Sequence, residues 1–173
     1  MNEDYRIVIR DVGSPVTVIA PHGGKIEPNT AEIAKGIAGD RYNCYCFEGI
    51  KKENNGGLHI TSHKFDEPRA LQILSESIAV VAIHACTGNH ATVYLGGLDA
   101  ALKEILAREL NARNIQTATD HSGFQGRNPD NICNRGITRM GVQLEISRDL
   151  RDNPEKRKLI AEAVKASLAQ VVA

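Results

Sequence analysis

VTVIAPHGGKIEPNT, residues 16–30, is the stretch that decides the fold. Its first five residues form an apolar run typical of a buried strand, and Pro28 suits the first turn of a following helix. Between them lies a Pro-His-Gly-Gly turn, whose glycines allow the chain to bend sharply. The stretch therefore predicts a strand that leads directly into a helix, with His22 and Glu27 at the end of the strand.

The same alternation of strand and helix continues along the chain. Apolar or alternating runs bounded by turn residues predict strands at residues 5–11, 16–20, 43–47, 58–62, 78–84, 91–95, 115–119 and 141–147. Helical apolar spacing predicts helices at residues 28–38, 67–76, 98–110 and 154–172. This order predicts an α/β fold with a single domain over residues 1–173, a three-layer sandwich around a mixed, mostly parallel sheet.

Composition bears on the class of partner. The 173 residues include 24% charged side chains and have a formal net charge of zero, so no overall field favours nucleic acid or an anionic membrane. Aromatic residues make up only 4%, which argues against base-stacking surfaces. No segment approaches the length of a membrane span, and the N-terminal MNEDYRIVIRD lacks the apolar core of a signal peptide. We expect a cytoplasmic monomer that binds neither nucleic acid nor membrane.

The four cysteines are expected to be free thiols. None of them has the C-x-x-C spacing of a zinc or redox motif. Cys44 and Cys46 are two residues apart in a predicted strand, where they face the same way but are poorly placed to pair with each other. The other two are Cys86 and Cys133.

Two histidines stand at the ends of predicted buried strands. His22 follows residues 16–20, and His84 ends the apolar run of AVVAIHACTG. Ligands of open α/β sheets bind beyond the carboxyl ends of the strands. A catalytic zinc site needs three protein ligands and one open position for water, so His22, Glu27 and His84 predict one zinc ion per chain. Each residue also has a plainer interpretation, as a core histidine or as part of a polar loop.

Glu145 is the candidate general base. In GVQLEIS it lies on the polar side of an alternating strand, where a carboxylate without a partner or a function would be costly. A zinc hydrolase needs such a carboxylate near the metal to take a proton from water and pass it to the leaving nitrogen. An ion pair with Arg148 is the alternative interpretation.

The chain resembles the bacteriophage-type poly-γ-glutamate hydrolases, zinc peptidases of carboxypeptidase-like fold. The resemblance covers nearly the whole chain, in the order PHGGKIEPNTAEIA, LHITSHKFDEP, IHACTG, YLGGLD, NICNRG and GVQLEISRDLR. It implies zinc on His22, Glu27 and His84, Glu145 as general base, and cleavage of γ-glutamyl amide bonds in a capsule polymer. His22 and Glu27 are separated by four residues, as in this family, whereas the ordinary carboxypeptidase pair is H-x-x-E.

An anionic polymer requires cations near the zinc. Arginine suits this task because its planar group can bind a carboxylate through two hydrogen bonds. Residues 127–151 contain five arginines, beginning with Arg127. Arg135 and Arg148 are the first candidates among them, with Asn134 beside Arg135, and pairing with surface acids is the alternative for the arginines. His59, in LHITS, is a further candidate for contacting substrate or orienting a ligand, and a structural histidine is equally compatible with the sequence.

These observations predict a zinc-dependent hydrolase of poly-γ-glutamate, released on cell lysis if it is encoded by a phage. A zinc amidase for small N-acyl or γ-glutamyl amino acids is the alternative among enzymes. A non-catalytic binding protein that retains the zinc ligands is the alternative from another class.

Overall fold

Seven strands of the described residues form one mixed sheet in the computed structural model, which describes residues 4–88, 90–119 and 121–171. They are β1 Tyr5–Arg10, β2 Val16–Gly24, β3 Asn43–Gly49, β4 Ala79–Cys86, β5 Thr92–Gly97, β6 Gln116–Ala118 and β7 Val142–Ser147. Their order is β1-β3-β2-β4-β7-β5-β6. β3, β2, β4 and β7 run parallel, whereas β1 is antiparallel to β3 and β5 is antiparallel to β7.

Helices cover both faces of this sheet. They are α1 Thr30–Ala38, α2 Pro68–Leu74, α3 Ala100–Asn111, α4 Arg148–Arg151 and α5 Pro154–Val171, with short 3₁₀ turns at Asn55–Leu58, Ser62–Lys64 and Ile132–Asn134. Residues from α1, α3 and α5 form one core with Val16, Val18 and Ala20, and residues from α2 pack with Ile19 on the other face. The alternating strand residues are thus buried on both sides, as in parallel sheets. The predicted three-layer α/β fold is confirmed.

One predicted strand was wrong. Leu58 ends one 3₁₀ turn, Ser62 begins the next, and residues 59–61 between them are irregular. Asn54 has a φ of 58°, two glycines follow one residue later, and the 3₁₀ turn they form extends from the predicted loop into the first residue of the predicted strand. The carbonyl of Ile60 faces His22 Nε2 at 2.6 Å instead of a neighbouring strand.

Other boundaries differ at the ends of elements. β2 extends to Gly24, so His22 belongs to its strand and does not follow it, and β4 extends two residues beyond His84, to Cys86. The short helix α4 was not predicted. The last residue of the predicted helix 154–172 lies outside the described residues. Within the described parts of the chain, every helix is too short or too polar to cross a membrane.

Candidate metal centre

A bulge in β2 aims His22 at its neighbours. Ala20 pairs with Cys46 and Gly23 pairs with Glu48, so three steps along β2 match two along β3. Regular alternation would place His22 on the same face as Ala20, in the core against α1. The extra residue re-aims the side chain, as bulges do, and the imidazole instead lies near His84 and Phe65 on the opposite face.

His22, Glu27 and His84 converge on one point. One ligand atom from each lies within 4.8 Å of the others, and this group could hold a metal ion. His22 Nδ1 is 3.2 Å from His84 Nδ1 and 3.2 Å from Glu27 Oε1. The other carboxylate oxygen, Glu27 Oε2, accepts a hydrogen bond of 2.9 Å from the backbone N–H of Ala85. Each imidazole therefore directs its Nδ1 atom to the shared point.

The remaining imidazole nitrogens contact the second 3₁₀ turn, Ser62–Lys64, and the irregular residues before it. His22 Nε2 lies 2.6 Å from the carbonyl oxygen of Ile60, and His84 Nε2 lies 3.4 Å from Ser62 Oγ. Ligand histidines usually donate their second N–H to such a partner, which fixes the tautomer and the ring orientation. A carbonyl oxygen only accepts, so His22 Nε2 carries the proton and Nδ1 keeps a free lone pair. These residues fit a metal ion bound through Nδ1.

The protonation states also suit a metal ion. Burial lowers the pKa of His84 to about 3, so its imidazole is neutral. Burial raises the pKa of Glu27, but its contacts with His22 and His84 and the hydrogen bond from the backbone N–H of Ala85 outweigh burial, and the net pKa lies below the ordinary value. A neutral imidazole and an ionised carboxylate are the forms that bind metal.

Glu145 lies one strand away from His84. The two residues are paired across β4 and β7, and Gln143 Nε2 donates to Glu145 Oε1 at 3.3 Å. Asn131 donates to Gln143 Oε1 at 2.8 Å, which fixes the orientation of the Gln143 amide. Burial and then the negative charge of Glu27 raise the pKa of Glu145 to about 8. Within the described residues Glu145 has no ion pair, with Arg148 or any other cation.

These residues share a cavity of about 390 Å³. Its lining combines the three candidate ligands and Glu145 with two loop segments. One is the segment around the second 3₁₀ turn, which contributes His59, Thr61, Ser62 and His63, and the other is the loop after β6, which contributes Gly123, Phe124, Gly126, Arg127, Asn128 and Asn131. The arrangement places acid–base groups and a candidate metal site in one solvent-accessible space.

His59 lies against the candidate ligands. Its ring stacks on His22 with centroids 3.9 Å apart, and its Nε2 is 3.4 Å from Glu27 Oε1. Its side chain remains 43% exposed at the cavity. The structure therefore brings His59 to the site predicted for it, in contact with two of the three candidate ligands.

Asn134 has a different role from the one expected. The side chain is fully buried and does not line the cavity, so it has no access to substrate. Its Oδ1 accepts from the backbone N–H groups of Leu98 and Gly141, and its Nδ2 donates to the carbonyls of Gly126 and Asn128. Asn134 thus fixes backbone, and the structure does not bring it to the cavity, where substrate binding was predicted for it.

Neither predicted arginine lines the cavity. Arg135 is half-buried, with Nη1 3.7 Å from Asp130, and Arg148 borders a separate depression with Thr87 and Gly88. Arg127, which the sequence ranked behind these two among the arginines of residues 127–151, does line the cavity, whereas Gln143 and Ser62 were not predicted as site residues. Gln143 carried a usable signal, because it shares the polar side of β7 with Glu145.

The four cysteines are free and buried, as expected. Cys44 Sγ and Cys46 Sγ are 3.8 Å apart on β3, which is a contact between thiols and not a disulfide.

The chain is similar in sequence to known proteins. Residues 1–167 match the family model described as poly-gamma-glutamate hydrolase. The UPF0714 protein YmaC of Bacillus subtilis strain 168 is 39% identical over 152 residues, which cover 86% of this chain and 64% of YmaC. YndL of the same strain is 36% identical over 151 residues, 59% of its length. The chain spans about six-tenths of the length of these curated relatives.

Two solved structures share the whole fold. A bacteriophage poly-gamma-glutamate hydrolase superposes with a TM-score of 0.92 at 28% identity, over 99% of this chain and 91% of that one. The zinc-free apo structure of YndL superposes with a TM-score of 0.92 at 31% identity, over 98% and 92% of the two chains. With the family match over 167 residues, these similarities lead to one conclusion: the chain belongs to the poly-gamma-glutamate hydrolase family.

Proposed function

We propose that the chain is a zinc-dependent hydrolase that cleaves γ-glutamyl amide bonds of poly-γ-glutamate. One observation carries the proposal: His22, Glu27 and His84 converge within 4.8 Å in the same cavity as Glu145. Three ligands of this kind beside a carboxylate are the pattern of hydrolytic zinc sites. The family match supports the substrate, and the zinc-free description of the YndL structure supports the metal.

His22 and His84 would hold the ion through Nδ1, and Glu27 would hold it through its carboxylate. Zinc bound there supplies Lewis acidity, which polarises the scissile carbonyl and makes a water molecule more acidic. The second nitrogens of the imidazoles, held near Ile60 and Ser62, keep the rings oriented for this task.

Glu145 performs the proton transfers. Its carboxylate accepts a proton from the attacking water as the new C–O bond forms, and it then delivers that proton to the leaving nitrogen as the C–N bond breaks. The products are a carboxylic acid and an amine. Gln143 and Asn131 hold the Glu145 carboxyl in place through the hydrogen-bond chain described above. Burial and the charge of Glu27 raise the pKa of Glu145 above that of an ordinary carboxyl group, and a raised pKa suits a group that returns its proton to the leaving nitrogen.

The test uses purified protein, stripped with a chelator and reloaded with zinc. We expect the zinc-loaded protein to shorten poly-γ-glutamate and release new amino groups, and the stripped protein to be inactive. An α-linked polyglutamate of the same length controls for linkage, and N-acyl amino acids control for size. Cleavage of the small substrates alone would identify a small-molecule amidase. Stable zinc without any hydrolysis would identify a binding protein.

A further inference from the structure

The cavity has an unusual charge balance for an enzyme with an anionic substrate. Glu27 and Glu145 both line it, and each would repel a carboxylate when ionised. Poly-γ-glutamate carries one free carboxylate on every unit beyond the amide bonds that are cut. A bound dication would be engaged with its ligands and the scissile carbonyl, so the side chains of the polymer need another cation.

Arg127 is the sole lysine or arginine among the described residues that line this cavity. It is exposed and forms no hydrogen bond or ion pair with any described residue, so its guanidinium is free to meet a ligand. Arg135, by contrast, lies beside Asp130, and Arg148 borders another depression.

The backbone around Arg127 is held on both sides. The buried Asn134 Nδ2 donates to the carbonyl of Gly126 at 2.8 Å and to that of Asn128 at 2.9 Å, the two neighbours of Arg127. Gly126 has a φ of 58°, and a Cβ there would come within 2.8 Å of the Gln143 side chain. The loop therefore packs directly against Gln143, the residue that hydrogen-bonds Glu145. The backbone that carries Arg127 is held in place by these contacts.

We propose that Arg127 binds a free carboxylate of the substrate. This inference rests on the proposed function and assigns the specificity of that site for γ-glutamyl polymers to one side chain. A planar guanidinium can form two parallel hydrogen bonds with a carboxylate, which a lysine cannot reproduce.

The experiment compares Arg127→Ala with Arg127→Lys and with Arg139→Asn. Arg139 is an exposed arginine in the same connection between β6 and β7, and it lies in a turn that contacts Ser77 at the other end of β4. Asparagine tolerates its φ of 57°. The substrates are poly-γ-glutamate and the same polymer with its free carboxylates converted to primary amides. Zinc content is measured for every variant.

We expect Arg127→Ala to raise KM for the polymer about tenfold, with kcat changed less than about threefold, because hydrogen bonds to a charged group contribute mainly to binding. The KM of Arg127→Lys should lie between those of the parent and Arg127→Ala, and the KM of Arg139→Asn should equal that of the parent. On the amidated polymer, parent and Arg127→Ala should have the same KM. Binding of the intact polymer to Glu145→Gln, measured by calorimetry, should weaken by the same factor when Arg127→Ala is added.

Two failures are distinguishable. If the parent cleaves the polymer and Arg127→Ala keeps the parental KM, or loses kcat instead, the inference is wrong and the proposed function stands. If the zinc-loaded parent does not cleave the polymer at all, both are wrong. An equal rise in KM for Arg148→Ala but not for Arg127→Ala would assign the role to Arg148.

Discussion

Glu145 and His84 are direct partners in the parallel register of β7 and β4. Paired residues on neighbouring strands point to the same face of a sheet, so the proposed base and one candidate metal ligand are held side by side by backbone geometry. The adjacent pairs, Ile83 with Leu144 and Ala85 with Ile146, anchor this register, since Ile83, Leu144 and Ile146 lie in the core on the opposite face. A slip of one residue would turn both functional side chains into that core.

Loss of one candidate ligand should remove the metal. His84→Ala should lower zinc content from about one ion per chain to nearly none, because two protein ligands do not complete a catalytic zinc site. His121→Ala is the control, since His121 packs on Tyr94 and Phe124 and is not part of the three-residue group. Elemental analysis of dialysed protein measures the content. Full zinc retention in His84→Ala would refute this ligand set.

Ser62 should influence metal affinity without touching the metal. Its Oγ lies 3.4 Å from His84 Nε2, a long contact that still orients the ring. Ser62→Ala should weaken zinc binding about tenfold, the lower end of the range for such supporting partners. Competition with a fluorescent chelator measures the dissociation constant. Ser75→Ala, which removes an exposed hydroxyl bonded to the Gln72 carbonyl, should leave it unchanged. Equal constants for both variants would show that Ser62 does not support His84.

Glu145→Gln should separate binding from chemistry. The amide keeps the shape of the side chain but cannot take a proton, so kcat should fall by about 10²–10⁴-fold while fold and zinc content are kept. Glu104→Gln, on the exposed face of α3, is the matched control. Circular dichroism, elemental analysis and initial rates give the three readouts. A near-normal kcat in Glu145→Gln would mean that another group is the base.

The sequence predicts the layers of this fold because strands buried on both faces consist of continuous runs of apolar residues. Residues 16–20 and 79–84 of the two apolar runs are buried on both faces, and such strands occur under two layers of helices. His22 and His84 stand at the carboxyl ends of these two runs. The end of the sheet that carries the candidate site could therefore be identified from the sequence alone.

Features that depend on contacts between distant residues could not be predicted. The bulge that re-aims His22 appears only in the pairing of β2 with β3, although Pro21, which cannot donate to a strand, is compatible with it. Asn134 and Arg135 are adjacent in sequence but differ in environment. Asn134 is buried and hydrogen-bonds backbone groups, whereas Arg135 lies beside Asp130. Nothing in the local pattern distinguishes an asparagine that binds substrate from one that binds its own loop.

The last prediction concerns stability in acid. The Glu48 side chain is 3% exposed and accepts hydrogen bonds from Arg6 and Lys35. Burial raises the pKa of Glu48, but the bond with Lys35 and then the bond with Arg6 outweigh it, so the folded pKa lies below the ordinary value of 4.5. The unfolded chain therefore takes up the proton first, and the stabilisation present above pH 4.5 is lost as pH falls through the folded pKa.

Glu48→Gln should lower the urea midpoint at about pH 7 and lower it less at about pH 3.5. Glu162→Gln changes an exposed carboxylate 4.0 Å from Lys158. Its urea midpoint should equal that of the parent at both pH values. If Glu48→Gln lowers the midpoint equally at the two pH values, the ionised carboxylate does not contribute to stability and its packing alone does.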